Sequence, residues 1–294
     1  MTPSLWTPDQ GYPDGARARD YLRRQRERDR ARRRHIRDPI VDAILDRQCA
    51  VAHVQTLVAN DNDVDTTATG PSITTTAGNL LGCVIYGFDP GAGNPTCSVS
   101  SFNSVAGTQA ITRQQAGGDS RIYIFYWENI AGVTAAPTFT VSANARWSIF
   151  AVEISGCATS SALDGAGSSD TATSTAPAPG VFSAGTTDGF TLSAFGAEIA
   201  TGSITGLTSP WVTPTNGTTQ NIDLEAGVQY QLASPASVNG TWTISSAAWV
   251  AAQVVFKAAA AGGGGVPNFI APQYEFGRGR SFVVVPSGST PPNR

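Results

Sequence analysis

Lysine is all but missing from this 294-residue chain, with Lys257 the only one. Histidine is nearly as scarce: His35 and His53 are the only two, and none follows in the remaining 241 residues. That excludes a Ser-His-Asp or Cys-His apparatus in the larger part of the chain. The four cysteines, Cys49, Cys83, Cys97 and Cys157, are widely and irregularly spaced, and none sits in a CxxC pair. Buried free thiols are expected, with a Cys83–Cys97 contact across neighbouring strands left open. HExxH, GxSxG and GxxxxGK[ST] motifs are absent, as is any histidine cluster suited to zinc. No apolar run approaches the ~20 residues a membrane-spanning helix needs. The N-terminus lacks the apolar segment of a secretory signal, so neither membrane insertion nor ordinary secretion is expected. Charged residues make up only 14 % of the chain, against about 25 % in typical domains. Glycine, serine, threonine and alanine take their place, which is the composition of a β-sandwich with many short turns.

The charge that is present is segregated. Residues 1–48 hold twelve of the eighteen arginines against eight acids, a formal +4, while residues 49–294 carry a formal −7. A basic arm therefore precedes an acidic body, a layout of anchor plus displayed domain. Within the arm, Pro3, Pro8, Pro13, Gly11 and Gly15 keep residues 1–15 extended, with Trp6 and Tyr12 as free aromatics. Residues 16–37 have helical propensity but no apolar stripe, since Leu22, Ala31 and Ile36 are too few to make one. Asp38-Pro39 then caps a short amphipathic helix expected over 39–48.

From residue 50 the apolar period changes to two. Strands are expected at 50–58, 79–87, 97–102, 121–128, 137–142, 146–155, 189–198, 226–234, 240–245 and 248–257. Asn239-Gly240 and Asn216-Gly217 are turn candidates. The polar stretch 158–180 is expected to be a surface loop with one edge strand. The fold class is therefore all-β: an antiparallel, jelly-roll-like β-sandwich over 49–258, preceded by an arginine-rich helical arm over 1–48. An extended tail over 259–294 follows the linker AAAAGGGG. In that tail Tyr274, Phe276, Phe282 and Val284 form an apolar strand on a leash. It is suited either to a sheet edge of a neighbouring subunit or to its own body.

Candidate chemistry is thin. Glu128, Glu153, Glu198 and Glu225 lie on or beside strands, and two carboxylates can build a glycosidase. Glu128 and Glu153, however, end aromatic strands and read as exits to solvent. Asp61, Asp63 and Asp65 alternate in NDNDVD and offer oxygen ligands for Ca²⁺. They lack the glycine and distant glutamate of an EF-hand, and a solvated turn is the default. Trp127, Trp147, Trp242 and Trp249 are expected in the core. Trp211, in TSPWVTP, is the candidate platform for stacking on a glycan, with a core role as the alternative. Neither a cofactor nor a catalytic residue is expected, and the chain is read as a non-enzyme.

The body resembles the jelly-roll or immunoglobulin-like domains of tailed-bacteriophage structural proteins. The resemblance is carried by Thr76-Ala77-Gly78-Asn79-Leu80-Leu81, Trp147 to Gly156, Gly189 to Phe195 and Trp249 to Lys257, and covers about residues 50–258. Related domains also occur in bacterial surface and carbohydrate-binding proteins. The resemblance implies a virion location (head decoration, neck appendage or tail fibre) and supplies no catalytic residues. The expected partners are other virion proteins of capsid, portal, neck or tail, in a homo-oligomer. Contact with them would run through Trp6, Tyr12, Arg17, Arg19, Arg23, Arg24, Arg26, Arg30, Arg34 and Arg37, because guanidinium groups make bidentate contacts with acidic surfaces. Phosphate neutralisation is a second reading of the same arginines, without interleaved aromatics or a nucleic-acid fold to support base recognition. A solvated helix is the third. The competing function is a carbohydrate-binding adhesin or tail-fibre module that recognises the host surface.

Overall fold

A computed structural model describes residues 23–27, 50–62, 66–91, 93–199, 204, 210–221, 223–232 and 237–260. Chain contacts divide the molecule into Met1–Ala261 and Gly262–Arg294, and the described residues all fall in the first unit.

Fifteen strands, numbered along the chain, form four antiparallel sheets among the described residues. The first large sheet is ordered β1 (Ala52–Asp61), β10 (Arg146–Ser155), β4 (Leu80–Phe88), β7 (Ser120–Trp127) and β6 (Thr108–Gln114). The second is ordered β11 (Ser168–Ser174), β15 (Ala247–Phe256), β12 (Phe190–Ala197), β14 (Leu224–Leu232) and β13 (Thr218–Asn221). A three-stranded sheet joins β2 (Thr67–Thr69), β9 (Thr138–Val141) and β5 (Cys97–Ser101), and a two-stranded one pairs β3 (Ile73–Thr74) with β8 (Thr134–Ala135). The chain thus completes one large sheet before it begins the other.

Alternation decides what each face meets. Leu80, Val84, Tyr86, Ile122, Ile124, Phe150, Val152 and Ile154 point from the first large sheet into the seam. There they meet Phe190, Leu192, Val228, Val250, Val254 and Phe256 of the second. Gly82 lets the sheets close, since a Cβ there would stand 3.3 Å from Leu192. The opposite face of the first sheet is apolar as well. Leu81, Cys83, Ile85, Tyr123, Phe125, Trp127, Trp147 and Ile149 are buried there beneath Ala68, Cys97, Phe102, Phe139 and Val141 of the small sheet and its surroundings. Because both faces are covered, all but the last residue of β4 are buried, and LLGCVIYGF is continuously apolar rather than alternating.

Nine expected strands appear within a few residues of their expected ends, and the polar stretch 158–180 contains its edge strand, β11. Residues 240–245 are not a strand. Trp242 and Ile244 donate backbone N–H groups to Pro177 and Thr175 (both 3.0 Å), so this stretch packs as a covering segment over the second sheet. Asn239-Gly240 is accordingly not a hairpin turn. Asn216 does adopt a left-handed φ of 60°, and Gly217 N–H donates to Pro214 (2.9 Å), as a turn there requires. Both edges of the first sheet are irregular: β1 slips register between His53 and Gln55, and β6 between Gln109 and Ile111. Bulges of this kind discourage a foreign strand from pairing.

Cys83, Cys97 and Cys157 are free and buried. Burial pushes the Cys157 thiol up to about 12, and it pushes Cys83 and Cys97 up as well. All three behave as small apolar groups and not as nucleophiles. Cys49 lies outside the described residues, as does the helix expected over 39–48.

Candidate functional site

A cavity opens where β7 ends. It holds about 180 Å³ and is lined by Phe102, Asn103, Val105, Trp127, Glu128, Asn129, Ile130 and Ala131. Its floor is aromatic. Trp127 is held by an Nε1–H bond to Val105 C=O (2.9 Å), and its ring centroid lies 6.0 Å from that of Phe102 at 59°. Gly107 is required here, because a Cβ at that position would approach Trp127 Cε2 to 2.6 Å.

Two tight turns build the rim. Phe102 and Val105 exchange both backbone hydrogen bonds (2.9 and 3.0 Å). Between them Asn103 and Ser104 take left-handed φ values of 49° and 63°. Two successive positive φ angles are the mark of a type I′ hairpin turn, and asparagine tolerates that region better than most residues. The turn thrusts Val105 outward, 58 % exposed. On the other side Asn129 is also left-handed (φ 49°). It reverses the chain so that Ile130 N–H donates to Asn79 C=O (2.9 Å). Carboxamides at the rim over an aromatic floor make a small amphipathic cleft.

Two glutamates position this cleft. Glu153, on the outer face of β10, is fully buried and does not mark an exit to solvent. Its carboxylate accepts from Gln55 Nε2 (2.6 Å), Thr76 N–H (2.7 Å) and Asn79 Nδ2 (2.7 Å). It thereby fixes the 76–79 segment that braces Ile130. Glu128 accepts the backbone N–H groups of Ser161 and Ala162 and ties down that loop. Burial first, and then the Glu128 charge, push the Tyr126 phenol up, while a bond with Thr108 pulls it down. Glu128 and Glu153 leave opposite faces of the same sheet and serve different loops, so they do not flank a common substrate position as a glycosidase pair must. Glu225 is fully buried too, and accepts from Gln220 Nε2 (2.6 Å).

The residues singled out from sequence do not converge on this cleft. Arg23, Arg24 and Arg26 lie in the exposed helical stretch 23–27. Trp6, Tyr12, Arg17, Arg19, Arg30, Arg34, Arg37, Tyr274, Phe276, Phe282 and Val284 lie outside the described residues. Trp211 is half-buried, next to Val212, whose backbone pairs with Tyr230 (2.9 Å). Asp61 accepts from Thr69 N–H (3.2 Å), whereas Asp63 and Asp65 are outside the described residues. Trp127, Trp147, Trp242 and Trp249 are all buried, as expected. His53 stacks on Tyr230, ring centroids 4.6 Å apart. Burial lowers its pKa, and a backbone bond with Gln55 partly restores it. Among the described residues no group of three or more His, Cys, Asp and Glu side chains is placed to hold a metal ion, and no helix is long and apolar enough to cross a membrane.

The cleft was not legible in sequence. Phe102 and Val105 read as a strand end and a loop residue, and only the turn that joins them brings Val105 over Trp127. Asn-Ser between two apolar residues was the available signal. No protein-family model, curated protein or solved structure matches this chain.

Proposed function

We propose that this chain is a non-enzymatic structural protein of a tailed-phage virion. Residues 1–48 anchor it to an assembled head, neck or tail partner, and the β-sandwich is displayed outward. The observation that carries this reading is the segregation of charge, a formal +4 in the arm against −7 in the remainder. The exposed Arg23–Arg26 stretch fits the same role. The arm orders on a repeated, preformed acidic surface, where many weak contacts add through effective concentration. The tail strand around Phe282 and Val284 adds to a neighbouring subunit. β11 is suited to receive it, because its pairing with β15 runs from Ser168 to Ser174 without a register slip, unlike β1 and β6.

Deleting residues 1–37 is expected to abolish incorporation into particles while leaving the thermal transition of the sandwich in place. Gradient-purified particles, assayed by mass spectrometry, provide the readout. A truncated chain incorporated at full occupancy would refute the anchor.

The amphipathic cleft at Trp127 favours a second reading, a carbohydrate-binding module that recognises a host surface, with Trp211 as a further contact. Titration with host polysaccharide is expected to change tryptophan fluorescence under this reading, and Asn103→Ala with Asn129→Gly to remove the change. A flat titration in the intact chain would rule it out.

A further inference from the structure

The chain enters and leaves the sandwich at one corner. Residues 1–49 lead to Ala50, ahead of β1, and residues 261–294 follow Ala260. Gly156, just past β10, lies between the two junctions. A Cβ there would come within 2.4 Å of the Ala50 carbonyl, and the residue takes a left-handed φ of 73°. Its own C=O accepts from Ala259 N–H (2.8 Å). Entry and exit therefore flank a position that only glycine fits.

The cleft at Trp127 lies at the same end of the first sheet. Gln55, Glu153, Leu81 and Trp127 are register partners across β1, β10, β4 and β7. A run of hydrogen bonds also joins the cleft to the corner. Glu128 accepts from Ala162 N–H, Ala162 C=O from Lys257 N–H (2.7 Å), and Lys257 C=O from Ala158 N–H (2.9 Å). Ser120, at the other end of β7, is roughly 23 Å from Trp127 along the strand.

The cleft suits insertion rather than stacking. An apolar cavity of ~150 Å³ holds one benzene ring, so about 180 Å³ takes a single side chain of that size. Phe102, Val105, Trp127 and Ile130 supply an apolar lining. Trp127 and Phe102 are only 3 % and 2 % exposed, so neither offers a ring face to a sugar. Glu128 already accepts two backbone N–H groups and calls for no cation. Asn103 and Asn129 are exposed at the rim, where their carboxamides can pair with a partner's backbone.

We propose that this corner faces the acidic protein surface that the arm binds, and that the Trp127 cleft receives one uncharged apolar side chain, of leucine or phenylalanine size, from that surface. The inference rests on the anchor reading above and adds a second point of contact to it. Once the arm is bound, filling a cleft so near its root is an intramolecular step, and a small contact suffices at the resulting effective concentration. An apolar side chain seated in a pocket with a polar rim is the form that energetic centres of protein interfaces take. The end of the sandwich carrying the 115–118 turn is the displayed one.

The test places the same charge at either end of β7. Val105 is 58 % exposed and Ala116, in the 115–118 turn, is exposed too. Val105→Glu and Ala116→Glu therefore spare the core, and their unfolding transitions check this. Full-length variants are assembled into particles, purified on gradients and quantified by mass spectrometry. Val105→Glu is expected to lower incorporation by about tenfold, the worth of seating one apolar side chain, and Ala116→Glu to leave it unchanged. Val105→Ser, which removes apolar surface without adding charge, is expected to act in the same direction, and Val105→Leu to behave as the unaltered chain. Full incorporation of Val105→Glu, with deletion of residues 1–37 still blocking entry, would overturn the cleft contact and leave the anchor standing. Full incorporation of the deleted chain would overturn the anchor and this contact with it. Equal losses for Val105→Glu and Ala116→Glu would overturn the assignment of faces. A tryptophan fluorescence response to host polysaccharide that Val105→Glu abolishes would make the cleft a glycan site instead.

Discussion

The two large sheets present similar inner faces and very different outer ones. The outer face of the first is covered by strands and aromatics: Phe139 packs on Phe125 and Trp127 with centroids 5.7 and 6.5 Å away. The outer face of the second is divided: Phe195, Trp249 and Ala251 pack beneath Trp242 and Ile244, and beside them runs a row of polar groups. Gln253, Ser193 and Gln229 lie opposite one another on β15, β12 and β14, all fully buried. They are covered by irregular segments. Gln253 Nε2 donates to Val238 and Gly180 C=O (2.9 and 2.8 Å) and to Ser168 Oγ (2.8 Å), while its Oε1 accepts Gly240 N–H (3.1 Å). Gly240 is needed there, as a Cβ would come within 2.2 Å of Ser193 Oγ. An apolar cover needs only shape and area, and two small sheets supply both. Irregular backbone brings unpaired N–H and C=O groups with it, so the face beneath it must offer partners.

Changes to the first cover are expected to be the most costly. Trp147 is 1 % exposed and fills the space that Gly87 leaves open. Trp147→Ala should cost about 3–5 kcal/mol in denaturant unfolding, the usual range for removing a buried aromatic. A loss below 1 kcal/mol would mean that the cover is loosely packed.

On the second cover, two glutamines on the same face separate hydrogen bonding from packing. Gln253→Leu strips partners from Gly240, Gly180 and Val238 and is expected to cost about 1–3 kcal/mol. Gln229, whose amide nitrogen and oxygen are both buried without partners, should tolerate leucine with little loss or a gain. Equal losses for the two variants would reverse the contrast.

A smaller effect is expected at the seam. Burial first, with the Asp119 charge adding to it, raises Glu198 above its ordinary 4.5, so the folded chain holds this proton more tightly than the unfolded one. The resulting stability is fully present below pH 4.5. It is lost as the pH rises through the higher folded value. Comparison with Glu198→Gln across that window should show the unaltered chain losing ground as the pH increases. Parallel profiles would remove Glu198 as the source.

The smallest effect belongs to the sheet edges. Arg113 and Asp170 join β6 to β11 at 3.8 Å, with side chains 42 % and 57 % exposed. Arg113→Ala is expected to cost no more than about 1 kcal/mol, and less in high salt. At the opposite edge Arg146 pairs with Asp223, and Asn60 Nδ2 donates to Thr219 Oγ1 (2.9 Å).

Runs such as RIYIFYWE and RWSIFAVEIS were readable as strands because β-branched and aromatic residues suit a pleated surface whatever covers it. β6 (TQAITRQ) and β13 (TTQN) were not, because a short polar edge strand resembles a loop until a neighbour pairs with it. GTWTIS has the residues of a strand, yet its backbone pairs with Thr175 and Pro177 while Trp242 and Ile244 pack on Phe195, Trp249 and Ala251, all distant in sequence. Glu153 was read as an exit to solvent because its three donors come from Gln55, Thr76 and Asn79, distant in sequence. The cleft at Trp127 was hidden for the same reason.

The amino-acid order by itself determined the all-β class, the alternation that gives each strand two faces, the burial of four of the six tryptophans and the segregation of basic arm from acidic body. These follow from local pattern and composition, which act over a few residues. Tertiary structure alone decided which outer face lies under strands and which under irregular segments. It also decided that Glu153 and Glu128 serve separate loops. Each of these depends on strand order and register, and those are set by the packing of segments as much as a hundred residues apart.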